Sequence, residues 1–403
     1  MVPSDVSLEF EALKEGAVEL ISDEEFQSRL LSAAKGKTPL RIKYGADPSS
    51  PDLHFGHMVA LRKLRQFQDF GHTVIFIIGD FTARIGDPTQ RSQTRPMLSK
   101  AEVSANAKTY VNQVFKILDK NKTVVRYNSE WLEALKPEDF LHLSAQYTVA
   151  RLLERDDFHK RYKAGAPIAL VEFLYPLLQG YDSVKVNADL ELGGTDQKFN
   201  LLVGRELQKT WNQTPQMVMT LPLLEGTDGV QKMSKSFGNT ISIMETPREM
   251  FGKIMSLPDK LVPRYFHSLS EKSWNKFPSF LKDFSSQPRE GKADLAEHFV
   301  TQYHNREEAL KARKEFDQIF RDKGLPEDIP EVKLQKKEAL LVEVLTETGL
   351  CASKGEARRM IEQGGVRVNG EKISDEKKQI LLGPEPLLLQ VGKRKFLKVK
   401  ASG

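Results

Sequence analysis

Apolar and polar positions along this chain change period several times, and the changes predict its elements. Leu8–Ile21 (LEFEALKEGAVELI) and Glu24–Ala34 (EEFQSRLLSAA) carry apolar residues three and four apart, which predicts one or two amphipathic helices within residues 1–35. A short strand over Leu40–Lys43 runs into Gly45, Asp47-Pro48 and Ser49-Ser50, a loop composition. Met58–Phe70 (MVALRKLRQFQDF) returns to helical spacing, closed by Gly71 as a C-cap. His72–Asp80 then holds a continuous Val-Ile-Phe-Ile-Ile run, the mark of a strand buried on both faces of a parallel sheet. Strand, helix and strand at this spacing predict a βαβ unit and an α/β fold, a Rossmann-type doubly wound sheet. In such folds ligands bind beyond the carboxyl ends of strands, where Lys43–Asp47 and Gly79–Asp87 fall.

Lys100–Leu174 is read as mostly helical, an insertion at about 100–170 that either covers the site or forms a subunit interface. In Glu172–Val186 (EFLYPLLQGYDSVKV), Tyr175, Gln179 and Asp182 share one helix face, although Pro176 and Gly180 disturb the regular pattern. A further strand ends at Gly193-Gly194, followed by a helix over Asn200–Lys209 and a strand in Met217–Leu224. The expected organisation is a helical segment at 1–35, a Rossmann-type domain at 36–227, a loop at 228–245, a helical domain at 246–330 and a small α+β module at 335–403. A proline-bearing linker, GLPEDIPEVK, precedes that module.

A chain of 403 residues has length for two or three domains. The net charge of +5 is placed unevenly: Gln335–Gly403 contains 14 Lys and Arg against 9 Asp and Glu, which leaves the remainder neutral. A basic module on a neutral body points to a polyanionic partner, nucleic acid first. The lone Cys351 excludes an intramolecular disulfide and a thiolate zinc cluster, and suits a reducing, cytoplasmic setting. The acidic start lacks a signal-peptide pattern, and no run of about 18 apolar residues predicts a membrane span.

Two stretches carry candidate chemistry. His54 and His57 stand three apart at a predicted helix start, with Gly56 between them, where unpaired N–H groups and imidazoles favour an anion such as phosphate. Lys232-Met233-Ser234-Lys235-Ser236 forms a loop whose two ammonium groups suit a transferring phosphoryl group, without being a Walker loop. Asp87 within Phe81–Pro96 is either a ligand contact or an Asx-turn residue. Tyr175, Gln179 and Asp182 are either a polar stripe or a binding face for a small ligand with an amine and a hydroxyl. Asp196 and Gln197 follow the paired glycines at a strand end.

Taken together, His-Phe-Gly-His and, about 180 residues later, Lys-Met-Ser-Lys-Ser resemble the paired signatures of class I aminoacyl-tRNA synthetases, with Phe55 where Ile or Leu is usual. The stretches GADPSSPDLHFGH, GDFTARIGDPTQRSQTRP, LLQGYDS, LGGTDQKFN and QKMSKSFGN narrow the resemblance to the bacterial tyrosyl-tRNA synthetase family, over nearly the whole chain. Ser353–Asp375 resembles an S4 RNA-binding module, with Lys354, Arg358 and Arg359 on its helix. The resemblance implies that His54 and His57 donate hydrogen bonds to ATP phosphates, with Gly56, Ser49 and Ser234 close by. It implies that Lys232 and Lys235 grip pyrophosphate and that Asp196 holds the ribose. For tyrosine it implies Tyr175, Gln179 and Asp87 around the ammonium group, Asp182 at the phenol, and Asp47 and Gln197 alongside. Lys43 and Lys198 depart from the better-known branch, which has tyrosine and tryptophan there, and Lys43 is a candidate reader of the phenolic oxygen. ATP as substrate with Mg²⁺, no protein-ligated metal, tRNA as partner and a homodimer are also implied. Alternatives are a tryptophanyl-tRNA synthetase, a simpler nucleotidyltransferase with the first signature, and an RNA-binding relative that has lost catalysis.

Overall fold

The computed structural model describes residues 4–89, 98–270, 273–320, 329–336, 338–392 and 395–401, with backbone alone at 4, 236, 273–278 and 320. Parts of three expected features lie outside them: the end of the Phe81–Pro96 segment, the start of the linker, and Lys393-Arg394 of the tail. The chain divides into two compact units, Met1–Thr246 with Lys253–His304, and Pro247–Gly252 with Asn305–Gly403. This division differs from the expected boundary at 246, because helices up to Tyr303 lie in the first unit. The reason is Phe55, fully buried at the start of helix Phe55–Asp69. Its ring centroid lies 5.1 Å from Phe299, 5.5 Å from Tyr303 and 6.4 Å from Tyr265. Those rings come from helices Val262–Leu269 and Pro288–Tyr303.

The first unit is built on a six-stranded sheet of β1 (Glu19–Ile21), β2 (Arg41–Ala46), β3 (Thr73–Ile78), β4 (Thr123–Tyr127), β5 (Leu190–Gly194) and β6 (Met217–Leu221), in the order β1-β6-β5-β2-β3-β4. Strands β2 to β6 run parallel, as the apolar runs predict, and β3 is buried from Val74 to Ile78. Two expectations are corrected. The N-terminal segment is more than helices, since β1 pairs antiparallel with β6 between helices Ser4–Lys14 and Asp23–Gly36. The mostly helical stretch after Lys100 contains β4, whose Thr-Val-Val core suits a parallel edge strand beside β3.

The chain leaves β2 toward β3 on one side and reaches β5 on the other, so the strand order reverses between β2 and β5. That reversal opens a crevice at the carboxyl ends of these strands. Gly71, at φ +94°, turns the chain out of helix Phe55–Asp69 and into β3. Helix Leu170–Val186 accommodates Pro176 in its interior and leads to β5.

The second unit carries β7 (Glu331–Leu334), β8 (Glu338–Leu340), β9 (Val366–Val368), β10 (Glu371–Ile373), β11 (Gln379–Leu381), β12 (Leu387–Val391) and β13 (Lys395–Ala401). Five form a sheet in the order β10-β9-β12-β13-β7, and β8 pairs with β11. Helices Leu341–Glu347 and Lys354–Glu362 pack Leu341, Val344, Leu345, Ala357 and Ile361 into one core with Val366, Leu389 and Val399. This is the small α+β module that the tail pattern predicts.

Candidate active site

A cavity of about 390 Å³ opens in the first unit at the carboxyl ends of β2, β5 and β6. His54, Gly56 and His57 line it together with Lys232, Ser234 and Lys235, so two segments far apart in sequence meet over one space. A backbone seam holds them: the Phe55 N–H donates to the Ile241 carbonyl at 3.0 Å, and the Ile243 N–H donates to the Leu53 carbonyl at 3.2 Å. The loop is folded around buried Asn239. Its Oδ1 accepts from the Ser234 N–H at 2.8 Å, and its Nδ2 donates to Asp228 at 2.8 Å and to the Lys232 carbonyl at 3.1 Å. Gly226 is required beside it, since a Cβ there would lie 2.2 Å from Asn239 Cγ.

The two imidazoles are held in one tautomer. His54 caps its helix, accepting the Gly56 N–H on Nδ1 at 3.2 Å, while His57 Nδ1 accepts the His54 N–H at 3.2 Å. Burial, each other and the Lys235 ammonium push His54 well below the usual imidazole range. Burial and Lys235 bring His57 to about 4. Both rings are therefore neutral at pH 7, with the proton on Nε2 as the donor left for the cavity. Burial also lowers Lys235, with Asp52 opposing. Lys232 Nζ lies 2.7 Å from Asp196 Oδ2.

A second group of lining residues is acidic. Asp47 follows β2 and accepts from Thr82 Oγ1 at 2.7 Å and from the Tyr175 hydroxyl at 2.9 Å. Burial pushes its carboxyl up to about 7, opposed by those two donors and assisted by Asp87 and Asp182. Gly79, at the end of β3, leaves room for Asp47, since a Cβ there would lie 2.0 Å from its Oδ1. Asp182, on helix Leu170–Val186, accepts from Trp131 Nε1 at 2.8 Å and Asn128 Nδ2 at 3.3 Å. Burial raises it to about 7 despite the Lys43 charge and these donors. Asp87 accepts from Gln197 Nε2 at 2.7 Å and, through the Thr89 N–H, closes the Asx-turn at 2.9 Å. Asp87 thus forms the Asx-turn and also lines the cavity. The cavity joins carboxylates, which favour a cation, to imidazoles and ammonium groups, which favour an anion.

Residues 35–321 match the family of tRNA synthetases class I (W and Y), and residues 321–398 match the tyrosine–tRNA ligase SYY-like C-terminal domain. A tyrosine–tRNA ligase from Carboxydothermus hydrogenoformans is 51% identical over 407 residues, 99% of each chain. That of Thermotoga maritima is 51% identical over 390 residues, 96% of each chain. The chain belongs to the tyrosine–tRNA ligase family, within the class I aminoacyl-tRNA synthetases. Its fold is shared by a C-terminally truncated Aspergillus nidulans mitochondrial tyrosyl-tRNA synthetase (TM-score 0.64, 21% identity, 78% of this chain and 94% of that one). An Archaeoglobus fulgidus tyrosyl-tRNA synthetase complexed with L-tyrosine gives a TM-score of 0.63 at 23% identity, covering 77% of this chain and 100% of that one.

Against the residues expected for this family, the cavity is lined by Ser49, Asp47, Asp87, Tyr175, Gln179, Asp182, Asp196 and Gln197 as well as both signatures. Lys43 is the exception. It is fully buried behind the cavity wall, and its ammonium group serves Glu191 at 2.8 Å, the Gln179 carbonyl at 2.9 Å and Ser183 Oγ at 2.6 Å. An ammonium group has three N–H donors, so none is left for a phenolic oxygen. Sequence reasoning missed Asn128 and Trp131, the partners of Asp182. Asn128 directly follows β4, at the same strand-end level as Asp47, so recognising β4 would have drawn attention to it. In the second unit Lys354, Arg358 and Arg359 are exposed on helix Lys354–Glu362, with Lys354 3.0 Å from Glu343 and Arg358 3.8 Å from Glu376.

Proposed function

We propose that this chain activates L-tyrosine with ATP and transfers the tyrosyl group to the 3′-terminal ribose of tRNA(Tyr). The observation that carries this reading is the meeting of His54, His57, Lys232 and Lys235 over a cavity whose other lining residues are Asp47, Asp87, Asp182 and Tyr175. The carboxylates receive the ammonium group and the phenol; the neutral imidazoles and the ammonium groups receive the triphosphate.

In the first step a tyrosine carboxylate oxygen attacks the α-phosphorus, and the bond to the bridging oxygen of pyrophosphate breaks. No side chain becomes covalently attached. Catalysis is positioning plus charge stabilisation. His54 and His57 donate from Nε2 to phosphate oxygens, with Ser49 beside them. Lys232 and Lys235 neutralise the departing pyrophosphate. Asp196 takes the ribose, which requires Lys232 to exchange the Asp196 carboxylate for phosphate when nucleotide enters. Tyr175, Gln179 and Asp87 hold the ammonium group, Asp182 accepts the phenolic O–H, and Asp47 and Gln197 complete the wall. In the second step the ribose hydroxyl attacks the adenylate carbonyl and AMP leaves. Mg²⁺ enters with the nucleotide as part of the substrate; among the described residues no three His, Cys, Asp or Glu side chains converge as a metal site.

The basic module carries the tRNA contact through Lys354, Arg358 and Arg359. Helical residues 246–330 serve the anticodon side. The protein works in the cytoplasm, and no described helix is long and apolar enough to cross a membrane. Leu141, Val149, Tyr162 and Leu170 are each 58–76% exposed within the insertion, apolar side chains that support a homodimer formed there. Amino-acid-dependent exchange of labelled pyrophosphate into ATP tests the reading. Exchange with tyrosine alone is expected. Exchange with tryptophan instead would replace the substrate, and no exchange with any amino acid would leave only an RNA-binding role.

A further inference from the structure

Arg155 lies in the helical insertion, immediately before helix Asp156–Lys163, and is not a lining residue of the cavity. Its side chain is only 6% exposed, with the guanidinium 4.9 Å over the Phe158 ring. It makes four polar contacts: Nε to Asp157 at 2.8 Å, Nη1 to Asn200 Oδ1 at 3.2 Å, Nη2 to Thr89 Oγ1 at 2.6 Å, and Nη2 to Asp87 Oδ1 at 3.6 Å. Two of these partners lead straight to the amino-acid side of the cavity.

The chemistry of the donors sets a direction. A guanidinium only donates, so Asn200 must turn its oxygen toward Arg155 and its amide nitrogen away. That nitrogen donates to Gln179 Oε1 at 3.0 Å and to Gln197 Oε1 at 3.1 Å. Both glutamines therefore accept from Asn200 on their oxygens, which leaves their nitrogens to other partners. Gln197 Nε2 reaches Asp87 at 2.7 Å, and Gln179 Nε2 reaches Glu191 at 3.4 Å. Thr89 closes the ring, accepting from Arg155 and donating its hydroxyl to Asp87 Oδ1 at 2.5 Å. A single buried cation thus orients three amides and one carboxylate.

We propose that Arg155 is a positioning residue for the amino-acid substrate, acting through Asn200 and Thr89 to present the Gln179 oxygen and the Asp87 carboxylate as acceptors for its ammonium group. With Asn200 reversed, Gln179 and Gln197 would be free to turn N–H groups toward that cation. The insertion therefore contributes to substrate recognition without touching substrate. The inference rests on the proposed tyrosine-activating function.

The test is tyrosine-dependent pyrophosphate exchange by the full-length chain and its Arg155→Met, Arg155→Lys and Asn200→Leu variants, with the Arg155→Met/Asn200→Leu pair. Losing a charge-assisted hydrogen bond predicts a KM for tyrosine raised about tenfold to a hundredfold in Arg155→Met. The KM for ATP should stay within about twofold of the unaltered chain. Asn200→Leu should reproduce the shift, and the pair should match the larger single effect because both act on one path. Arg155→Lys, which keeps the charge but cannot serve Thr89 and Asn200 together, should give a smaller rise in the tyrosine KM alone. If Arg155→Met does not fold, that Lys variant decides. An unchanged tyrosine KM, equal rises for tyrosine and ATP, or multiplied effects in the pair would overturn the proposal. Absence of exchange by the unaltered chain would instead remove the functional reading beneath it.

Discussion

His54 and His57 illustrate how backbone contacts prepare a side chain for chemistry. Each Nδ1 is occupied by a backbone N–H, and burial keeps each ring neutral, so both present Nε2–H as uncharged donors. His57→Ala should lower the exchange kcat roughly a hundredfold, in line with the loss of one donor to transition-state charge, while calorimetric tyrosine binding without ATP stays unchanged. Asp182 is the opposite case. Burial lifts its carboxyl from the ordinary 3.8 to about 7, so the folded chain binds a proton there that the unfolded chain has released. Its contribution to stability is present below about pH 4 and is lost as pH rises toward 7. Asp182→Asn cannot titrate, so between about pH 4 and 7 its stability relative to the unaltered chain should rise by about 1.4 kcal/mol per pH unit. Urea unfolding across that range measures this, and a constant difference would show an ionised Asp182. Above pH 7, where this carboxyl is ionised, the same substitution should cut kcat/KM for tyrosine by about tenfold to a hundredfold, through loss of the charged acceptor for the phenol.

The signature loop and the start of helix Phe55–Asp69 act together because of the seam between Leu53–Phe55 and Ile241–Ile243. Asn239 makes the loop a defined structure by satisfying Ser234, Asp228 and the Lys232 carbonyl at once. Asn239→Ala leaves those groups unpaired and should cost about 1–3 kcal/mol in thermal unfolding, with a raised KM for ATP. Phe55 supports the same helix from beneath. Truncating it to Ala within its aromatic box should cost about 3–5 kcal/mol, measured by denaturant unfolding, with a far smaller effect on tyrosine KM than Asp182→Asn.

The two compact units differ in charge. The surplus of positive charge lies in residues 335–403, and Arg358 and Arg359 are exposed there on one helix. Arg358→Glu/Arg359→Glu should leave pyrophosphate exchange within about twofold of the original and raise the KM for tRNA about tenfold or more at low salt, because phosphate contacts act through charge and counterion release. Charging that is unaffected by this reversal would remove the tRNA role of that face.

The parallel sheet, the helices flanking it and the two signatures were legible in the chain because each rests on local order: an apolar run for β3, helical spacing from Met58, and compact motifs at His54 and Lys232. The small C-terminal module was legible for the same reason. Strands β1 and β4 were not, since a three-residue edge strand and a short β-branched run flanked by helices carry little periodicity. Partner choice was equally hidden. Lys43 stands on β2 near the carboxyl end that opens on the cavity, yet burial beside Glu191 consumes its donors. Asn128, Trp131 and Arg155 come from stretches with no motif and gain their importance only from what folding places against them. Periodicity and motif depend on neighbours along the chain, whereas hydrogen-bond pairing and proton affinity depend on neighbours in space. Pairing therefore separated Lys43 from the cavity, and burial raised Asp182, at positions whose chemical identity was plain from the start.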